Sequence, residues 1–474
     1  MKLKIEKSIL LIAIAGLLVR IGFILIGAKF YFGRPDIYVD ADTQAWQDCI
    51  ATLINTGTYS TNHFSEYGYF IRMPGYSFFI GLFYLLCGEN WDTAIPIIAW
   101  FQTLLDFFMI VLIYQIGTKI FLNKNIALIL SALYAFYPFI IVWTPVVYSE
   151  YISIVLLLLS LNYFFHASNK KYWLSGLLIG LAVLFRPQLI LLMPIMIIAL
   201  LVLHRATLNF LKKGLLFTSM FLFAYAPWPL RNYINYKKII LTQDLRGAPN
   251  WNIDALSFMQ YIYSVKSEWE PQFSQIIQNK KVDWPSESYL TKEDSVKLLR
   301  VTFLSKNCGS GFSNWRGYWK DPMTAENNCN TEIKNIFDEL RQEQIDENPF
   351  NFWVKVPLQN LKKGIFKLTL TDTTTFIKKA ASILFIYRTF LLLCGMVGLW
   401  LMYKQKGMIQ IASIIIGLYF ISLYIALCAG TSPQFRNIEM RYFLPADILM
   451  LIPAAFLFNK WQERFFMKKI NKAE

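Results

Sequence analysis

Two carboxylates and four guanidinium groups punctuate an otherwise greasy sequence: Asp42, Glu150, Arg72, Arg186, Arg231 and Arg441. A carboxylate can take the proton from an attacking hydroxyl, and guanidinium groups can gather the charge of a departing phosphate. Asp42 stands in Val39-Asp-Ala-Asp-Thr-Gln-Ala-Trp46, with the aromatic Trp46 one helical turn on. It reads first as a general base, with the N-cap of a helix over 43–56 as the plainer alternative, and the two roles are compatible. Asp40, two residues earlier, is the alternative acid.

Arg72 precedes Met-Pro-Gly-Tyr76 at the start of a short apolar stretch, where helix N–H groups also favour anions. It is the first choice for gripping a phosphate, against a snorkelling role at the membrane interface. Glu150, in Val147-Tyr-Ser-Glu-Tyr151 and next to Tyr148, falls at a span end. It could orient an acceptor, hold a divalent cation together with Asp42, or simply start a helix. Arg186 at an Arg-Pro break, Arg231 in Pro227-Trp-Pro-Leu-Arg-Asn232 and Arg441 in Glu439-Met-Arg-Tyr-Phe-Leu-Pro445 complete a possible basic rim.

The elements that must position these groups are membrane helices. The 474 residues are 55% hydrophobic, 17% aromatic and only 16% charged, which excludes an ordinary soluble enzyme. A net charge of +15 raises a nucleic-acid partner, but the basic residues cluster in short runs between apolar spans, so membrane orientation explains them better. Spans of about 20 apolar residues, or fewer where helices break, are expected near 8–31, 93–121, 126–146, 148–166, 173–186, 188–203, 214–230, 381–403, 408–429 and 442–459. Residues 74–89 are apolar but short and read as an interfacial or re-entrant helix. The fold class is therefore an all-α polytopic membrane protein of about ten transmembrane helices.

With ten spans, Lys7, Lys119, Lys124, Lys171, Arg205, Lys212, Lys404, Lys406 and Lys460 share one side, which the positive-inside rule makes cytoplasmic. Loop 32–92 and segment 231–380 then face outward. A single unbroken helix over 173–203 would reverse the downstream charges, so a break at Arg186-Pro187 is expected. Three parts follow: 1–230, an N-terminal catalytic membrane module; 231–380, an extracytoplasmic domain of mixed structure; and 381–474, C-terminal helices with a cytoplasmic tail. Arg20 and Asp106 lie mid-span at comparable depth and are predicted to pair.

Other features are less committal. The Trp-rich pieces 313–319 and 351–353 could stack on sugar rings or serve a domain core. Cys308 and Cys329 could form a disulfide or stay free, and the three histidines are too dispersed for a metal signature. There is no Walker loop, no dinucleotide pattern and no internal repeat.

In order along the chain, Asp42 with Trp46, Arg72-Met-Pro-Gly-Tyr76, Ser149-Glu150, Pro227-Trp-Pro-Leu-Arg-Asn232 and Glu439-Met-Arg-Tyr-Phe-Leu-Pro445 resemble the GT-C glycosyltransferases. The likeness is to their protein O-mannosyltransferase-like branch, which includes lipid A aminoarabinose transferases. It implies a polyprenyl-phosphate-linked sugar donor, a lipid, glycan or protein acceptor, no nucleotide cofactor and an outward-facing site in a bacterial inner membrane. Carried over by motif, Asp42 is the base, Glu150 the second acid and Arg72 the residue facing the donor phosphate; Asp40, Trp46, Tyr76 and Tyr148 are expected to line the substrate site. Ser77 replaces the usual proline, and Glu150 stands where the aminoarabinose branch has Asp, so the likeness carries a reaction class and not a substrate. A transporter or flippase of lipid-linked saccharide is the competing class, one that tends to show inverted repeats and midplane polar residues.

Overall fold

The computed structural model describes all residues except 1–5, 35–36, 40, 63–66, 167–170, 246–252, 268–283, 309–327, 368–378, 381, 431–435, 437 and 471–474; the side chains of 41, 306–308, 328 and 465–470 are also outside it. Asp40, His63 and the Trp-rich piece 313–319 thus lie outside the described residues. Among the described residues every regular element is helical.

The expected apolar runs are helical, except that the run expected near 126–146 breaks at Phe136-Tyr137-Pro138 into Lys124–Ala135 and Pro138–Trp143, and the one near 214–230 passes from Leu208–Tyr225 into Pro227–Tyr236. Among the described residues six helices are long and apolar enough to cross a membrane: Lys7–Phe32, Trp91–Phe121, Pro187–His204, Ser382–Tyr403, Met408–Ala429 and Met440–Arg464. Shorter apolar helices cover Pro74–Leu86, Lys124–Ala135, Ser149–Phe164 and Tyr172–Phe185. The most apolar window of Met440–Arg464 is 89% buried, against 28% for Lys7–Phe32. The former is therefore the axis of the bundle and the latter lies at its edge.

Local chemistry sets where the helices begin and cross. Asn90 caps Trp91–Phe121, its side chain accepting the Thr93 N–H at 3.2 Å. Pro74 and Pro138 stand in the first turns of their helices, where a missing N–H costs nothing. The expected break after Arg186 is present: the Tyr172–Phe185 helix stops, Arg186 is extended, and Pro187 starts a new turn. Gly176 and Gly180 let the Tyr172–Phe185 helix lie directly on the backbone of Leu208–Tyr225 at Phe217 and Phe221. Tight crossing there fixes the depth of the helix that ends at Arg186.

Two buried pairs of opposite charge lie within the helix bundle, where apolar surroundings make a lone charge costly. Arg20 meets Asp106, and both side chains are fully enclosed, as predicted from their depth. The Tyr134 hydroxyl donates to Asp106 Oδ1 at 2.7 Å and Arg20 Nη1 donates to the Ala135 carbonyl at 2.7 Å. A second enclosed pair was not foreseen: Arg388 holds Asp447 through Nε at 2.6 Å and Nη2 at 3.0 Å. Tyr137 and Tyr424 complete its shell.

Residues 231–380 contribute a second apolar core, in which Phe258, Tyr261 and Ile262 pack with Leu298, Val301, Ile333 and Phe337. The helices Ile253–Val265, Lys292–Cys308 and Asn328–Glu347 supply them. Beyond these, the helix Val356–Phe366 joins the C-terminal membrane helices: Asn360 donates to the Cys428 carbonyl at 3.0 Å, and Arg388 donates to the Gly364 carbonyl at 2.7 Å. Cys329 is disulfide-bonded. Cys49, Cys87, Cys394 and Cys428 are free.

Candidate active site

The helix Ala41–Thr56 carries Asp42 in its first turn. Its charge complements the helix dipole there, yet the carboxylate itself turns to two arginines. Arg72 Nη2 lies 2.8 Å from Oδ1, and Arg441 Nη2 lies 2.8 Å from Oδ2. The Asp42 amide donates to the Tyr148 hydroxyl at 3.1 Å, tying this helix start to the entry of Ser149–Phe164. Thr43 Oγ1 reinforces the tie by donating to the Val147 carbonyl at 3.2 Å.

Glu150 occupies the first turn of Ser149–Phe164 and is almost wholly buried. Arg186 Nη2 meets its Oε1 at 2.8 Å, and Arg441 Nε approaches the same oxygen at 3.8 Å. Arg441 Nε also lies 2.7 Å from Glu439 Oε2. One alternating row of charge results, Arg72–Asp42–Arg441–Glu150–Arg186, drawn from five separate stretches of chain.

Aromatic faces support the row. The Arg72 guanidinium lies 4.6 Å from the Trp46 ring centre. Arg441 lies 5.0 Å from both Tyr148 and Tyr442, and Arg186 shares the Tyr442 ring at 5.0 Å. Trp46 stands edge-on to Tyr76 at 5.2 Å and to Tyr148 at 5.5 Å. The Tyr76 hydroxyl donates to Gln102 Oε1, whose amide nitrogen holds the Thr144 and Val146 carbonyls. The floor is thus locked to the helix Trp91–Phe121 before any ligand arrives.

The electrostatics follow from this geometry. Burial would raise the Asp42 carboxyl, but Arg72, Arg441 and Arg186 overcome it and hold the group down at about 2. Among the described residues Glu150 Oε2, Arg72 Nε and Arg186 Nε are buried with no hydrogen-bond partner, so the row keeps one acceptor and two donors uncommitted. A divalent cation does not fit this donor set as arranged. Both Asp42 oxygens and one Glu150 oxygen already face guanidinium groups. Among the described residues no three His, Cys, Asp or Glu side chains gather as ligands.

Of the residues singled out from sequence, Asp42, Glu150, Arg72, Arg186, Arg441, Trp46, Tyr76 and Tyr148 come together. Arg231 does not join them. Its guanidinium donates to the Tyr69 carbonyl at 2.8 Å and the Tyr59 carbonyl at 2.7 Å and stacks among Tyr59, Trp228 and Tyr236. It pins the opening loop to the helix Pro227–Tyr236 instead of lining the row. Sequence reasoning missed Tyr442 and Glu439, although both sit inside the Glu439–Pro445 motif beside Arg441.

Residues 72–229 match the family described as dolichyl-phosphate-mannose-protein mannosyltransferase. Among curated proteins none matches the chain. The fold is similar to that of the Archaeoglobus fulgidus oligosaccharyltransferase solved in complex with Zn and sulfate. In that comparison identity is 14%, the TM-score is 0.52, and the match covers 98% of this chain and 51% of the other. A structure of the oligosaccharyltransferase AglB from Archaeoglobus fulgidus, in complex with an inhibitory peptide and a dolichol-phosphate, gives 13% identity and a TM-score of 0.50 over 98% and 52% of the two chains. The chain spans about half the length of these structures, and at such identity the likeness is one of fold.

Proposed function

We propose that this chain is a GT-C membrane glycosyltransferase of the protein O-mannosyltransferase-like branch, which moves a sugar from a polyprenyl-phosphate donor to an acceptor hydroxyl at the outer face of a bacterial cytoplasmic membrane. The observation that carries the reading is Asp42 with Arg72 and Arg441 on its two oxygens, beside Glu150 and Arg186. A lone carboxylate at a membrane surface is common; one set in a row of guanidinium groups has what a phosphate-leaving reaction needs.

The donor phosphate competes for Arg72, Arg186 and Arg441, whose charge then stabilises the departing group. Asp42, released from its arginines, accepts the proton of the acceptor hydroxyl. As the bond from the anomeric carbon to the acceptor oxygen forms, the bond to the phosphate oxygen breaks, and polyprenyl phosphate leaves. Attack from the side opposite the phosphate inverts the anomeric centre. Glu150, with its free Oε2, is placed to orient the acceptor. The short apolar helix Pro74–Leu86, which exposes Phe78, Leu82, Leu85 and Leu86, supplies a surface for the lipid tail.

Asp42→Asn tests the assignment. Membranes carrying the variant are expected to release no free polyprenyl phosphate from a labelled polyprenyl-phosphate sugar, while the amount of folded protein is unchanged. Transfer at the wild-type rate would remove Asp42 from the chemistry.

A further inference from the structure

Away from the Asp42 row, one guanidinium group has been taken out of water with no carboxylate paired to it among the described residues. Arg436 is 3% exposed, and neither its Nη1 nor its Nη2 has a hydrogen-bond partner. One of its faces lies 4.4 Å from the centre of the fully buried Phe352 ring. Burial lowers its proton affinity to about 10, and the like charge of Arg341 adds to the effect. Arg341, late in the helix Asn328–Glu347, donates no hydrogen bond among the described residues and feels only Asp338 as counter-charge.

Such an arrangement costs stability unless something arrives to use it, because an uncompensated buried charge is among the more expensive features a fold can keep. The segment that carries Phe352 is held in place. Asn351 donates to the Val265 carbonyl at 3.2 Å, and Asn360 both donates to the Cys428 carbonyl and accepts the Ser267 hydroxyl. We infer that Arg436 is a second oxyanion site that takes a phosphate group, separate from the one at Asp42. Two guanidinium groups against one nearby carboxylate leave charge for a phosphate, and the planar fork of Arg436 suits tetrahedral oxygens. The Phe352 face holds that fork in place. Arg436 precedes Arg441 by five residues, so its Cα lies within about 18 Å of the Arg441 Cα even if the intervening chain is fully extended. A phosphate bound here would sit within reach of the same cleft.

Full-length protein purified in detergent, with inorganic phosphate as the probe, decides the matter independently of whether the chain transfers sugar. Equilibrium dialysis is expected to show that Arg436→Met and Arg341→Gln each weaken one phosphate site by about tenfold or more, while Arg72→Gln leaves that site intact. Without phosphate, Arg436→Met is expected to melt at or above the wild-type temperature, since an uncompensated charge is gone. Phosphate should raise the wild-type melting temperature and do so less in that variant. A role confined to packing on Phe352 predicts the reverse: a lower melting temperature and unchanged phosphate binding, which would overturn the inference. Nanodiscs separate the sources. Arg436-dependent stabilisation by phosphatidic acid over phosphatidylcholine would make the occupant a lipid headgroup, and its absence together with phosphate binding in detergent would make it a soluble phosphate. Neither response in wild type would overturn the site. Should Arg436→Met fail to fold, Arg436→Lys and Arg341→Gln carry the same measurement.

Discussion

Arg441 Nη2 lies 2.8 Å from Asp42 Oδ2, joining the first turn of the helix Ala41–Thr56 to the first turn of the last membrane helix. The same guanidinium reaches Glu439 through Nε and approaches Glu150. Three acids served by one planar fork is a task lysine cannot perform, because an ammonium is a single point of charge on a flexible stem. Arg441→Lys is therefore expected to lower transfer by about a hundredfold, the usual cost of one lost transition-state donor. Release of polyprenyl phosphate from labelled donor is the measurement, and activity within a few-fold of wild type would count against the bridge.

The pH dependence should betray the exchange of partners on Asp42. In the resting protein Asp42 is held at about 2, below its ordinary 3.8, so its contribution to stability is complete above that ordinary value and is lost only as pH falls toward 2. Donor phosphate drawing Arg72 and Arg441 away removes what lowers it and leaves burial, which raises it. The acid limb of kcat is accordingly expected to lie roughly 1–3 pH units above any Asp42 limb in kcat/KM. Profiles of both parameters on the same membranes, taken as far below pH 4 as the protein stays folded, check this: kcat should fall at the acid end while kcat/KM shows no Asp42 limb there, and a kcat as flat as kcat/KM would mean the arginines stay on Asp42 throughout.

Much of this was legible in the chain because apolar length and polar breaks are local signals. Arg186-Pro187 announces its own helix break, and Arg20 and Asp106 announce their pairing through matching depth. The row around Asp42 was legible as a set of residues but not as a geometry. Nothing in the sequence says that Arg231 spends its donors on the Tyr59 and Tyr69 carbonyls while Arg441 spends its own on Asp42. Both stand at span ends with aromatic neighbours, and only the path of the opening loop separates them. Tyr442 escaped because an aromatic at a membrane interface is ordinary until two arginines are found on its face. Arg388 and Asp447 escaped because neither motif nor repeat links them.

Glu150 and Arg186 should behave as one energetic unit. Both are nearly enclosed, and Oε1 of the acid meets Nη2 of the arginine at 2.8 Å. Removing either alone strands the other, whereas removing both leaves no orphan. Glu150→Gln and Arg186→Met are each expected to lower the unfolding temperature, and the double variant to lower it by less than the sum. The coupling should be about 1–3 kcal/mol. A thermal-unfolding cycle in detergent measures it, and simple additivity would show that the pair is held by its surroundings instead.

Arg388 and Asp447 carry the strongest stability prediction, because none of their hydrogen bonds reaches a member of the charge row. Asp447 receives Arg388 through two nitrogens and the Tyr137 hydroxyl at 2.9 Å, while Arg388 also holds the Gly364 carbonyl. The pair thereby fastens Val356–Phe366 to the two helices Ser382–Tyr403 and Met440–Ile470. Arg388→Met leaves a buried carboxylate with one hydroxyl for company and is expected to cost about 3–5 kcal/mol. Adding Asp447→Leu removes that stranded charge and should return a large part of the loss, since apolar packing can replace a buried ion pair at little net cost. The fraction of protein that runs as a single peak on gel filtration after heating reads the difference. A double variant less stable than Arg388→Met would mean that Asp447 earns its place through Tyr137 and not through the arginine.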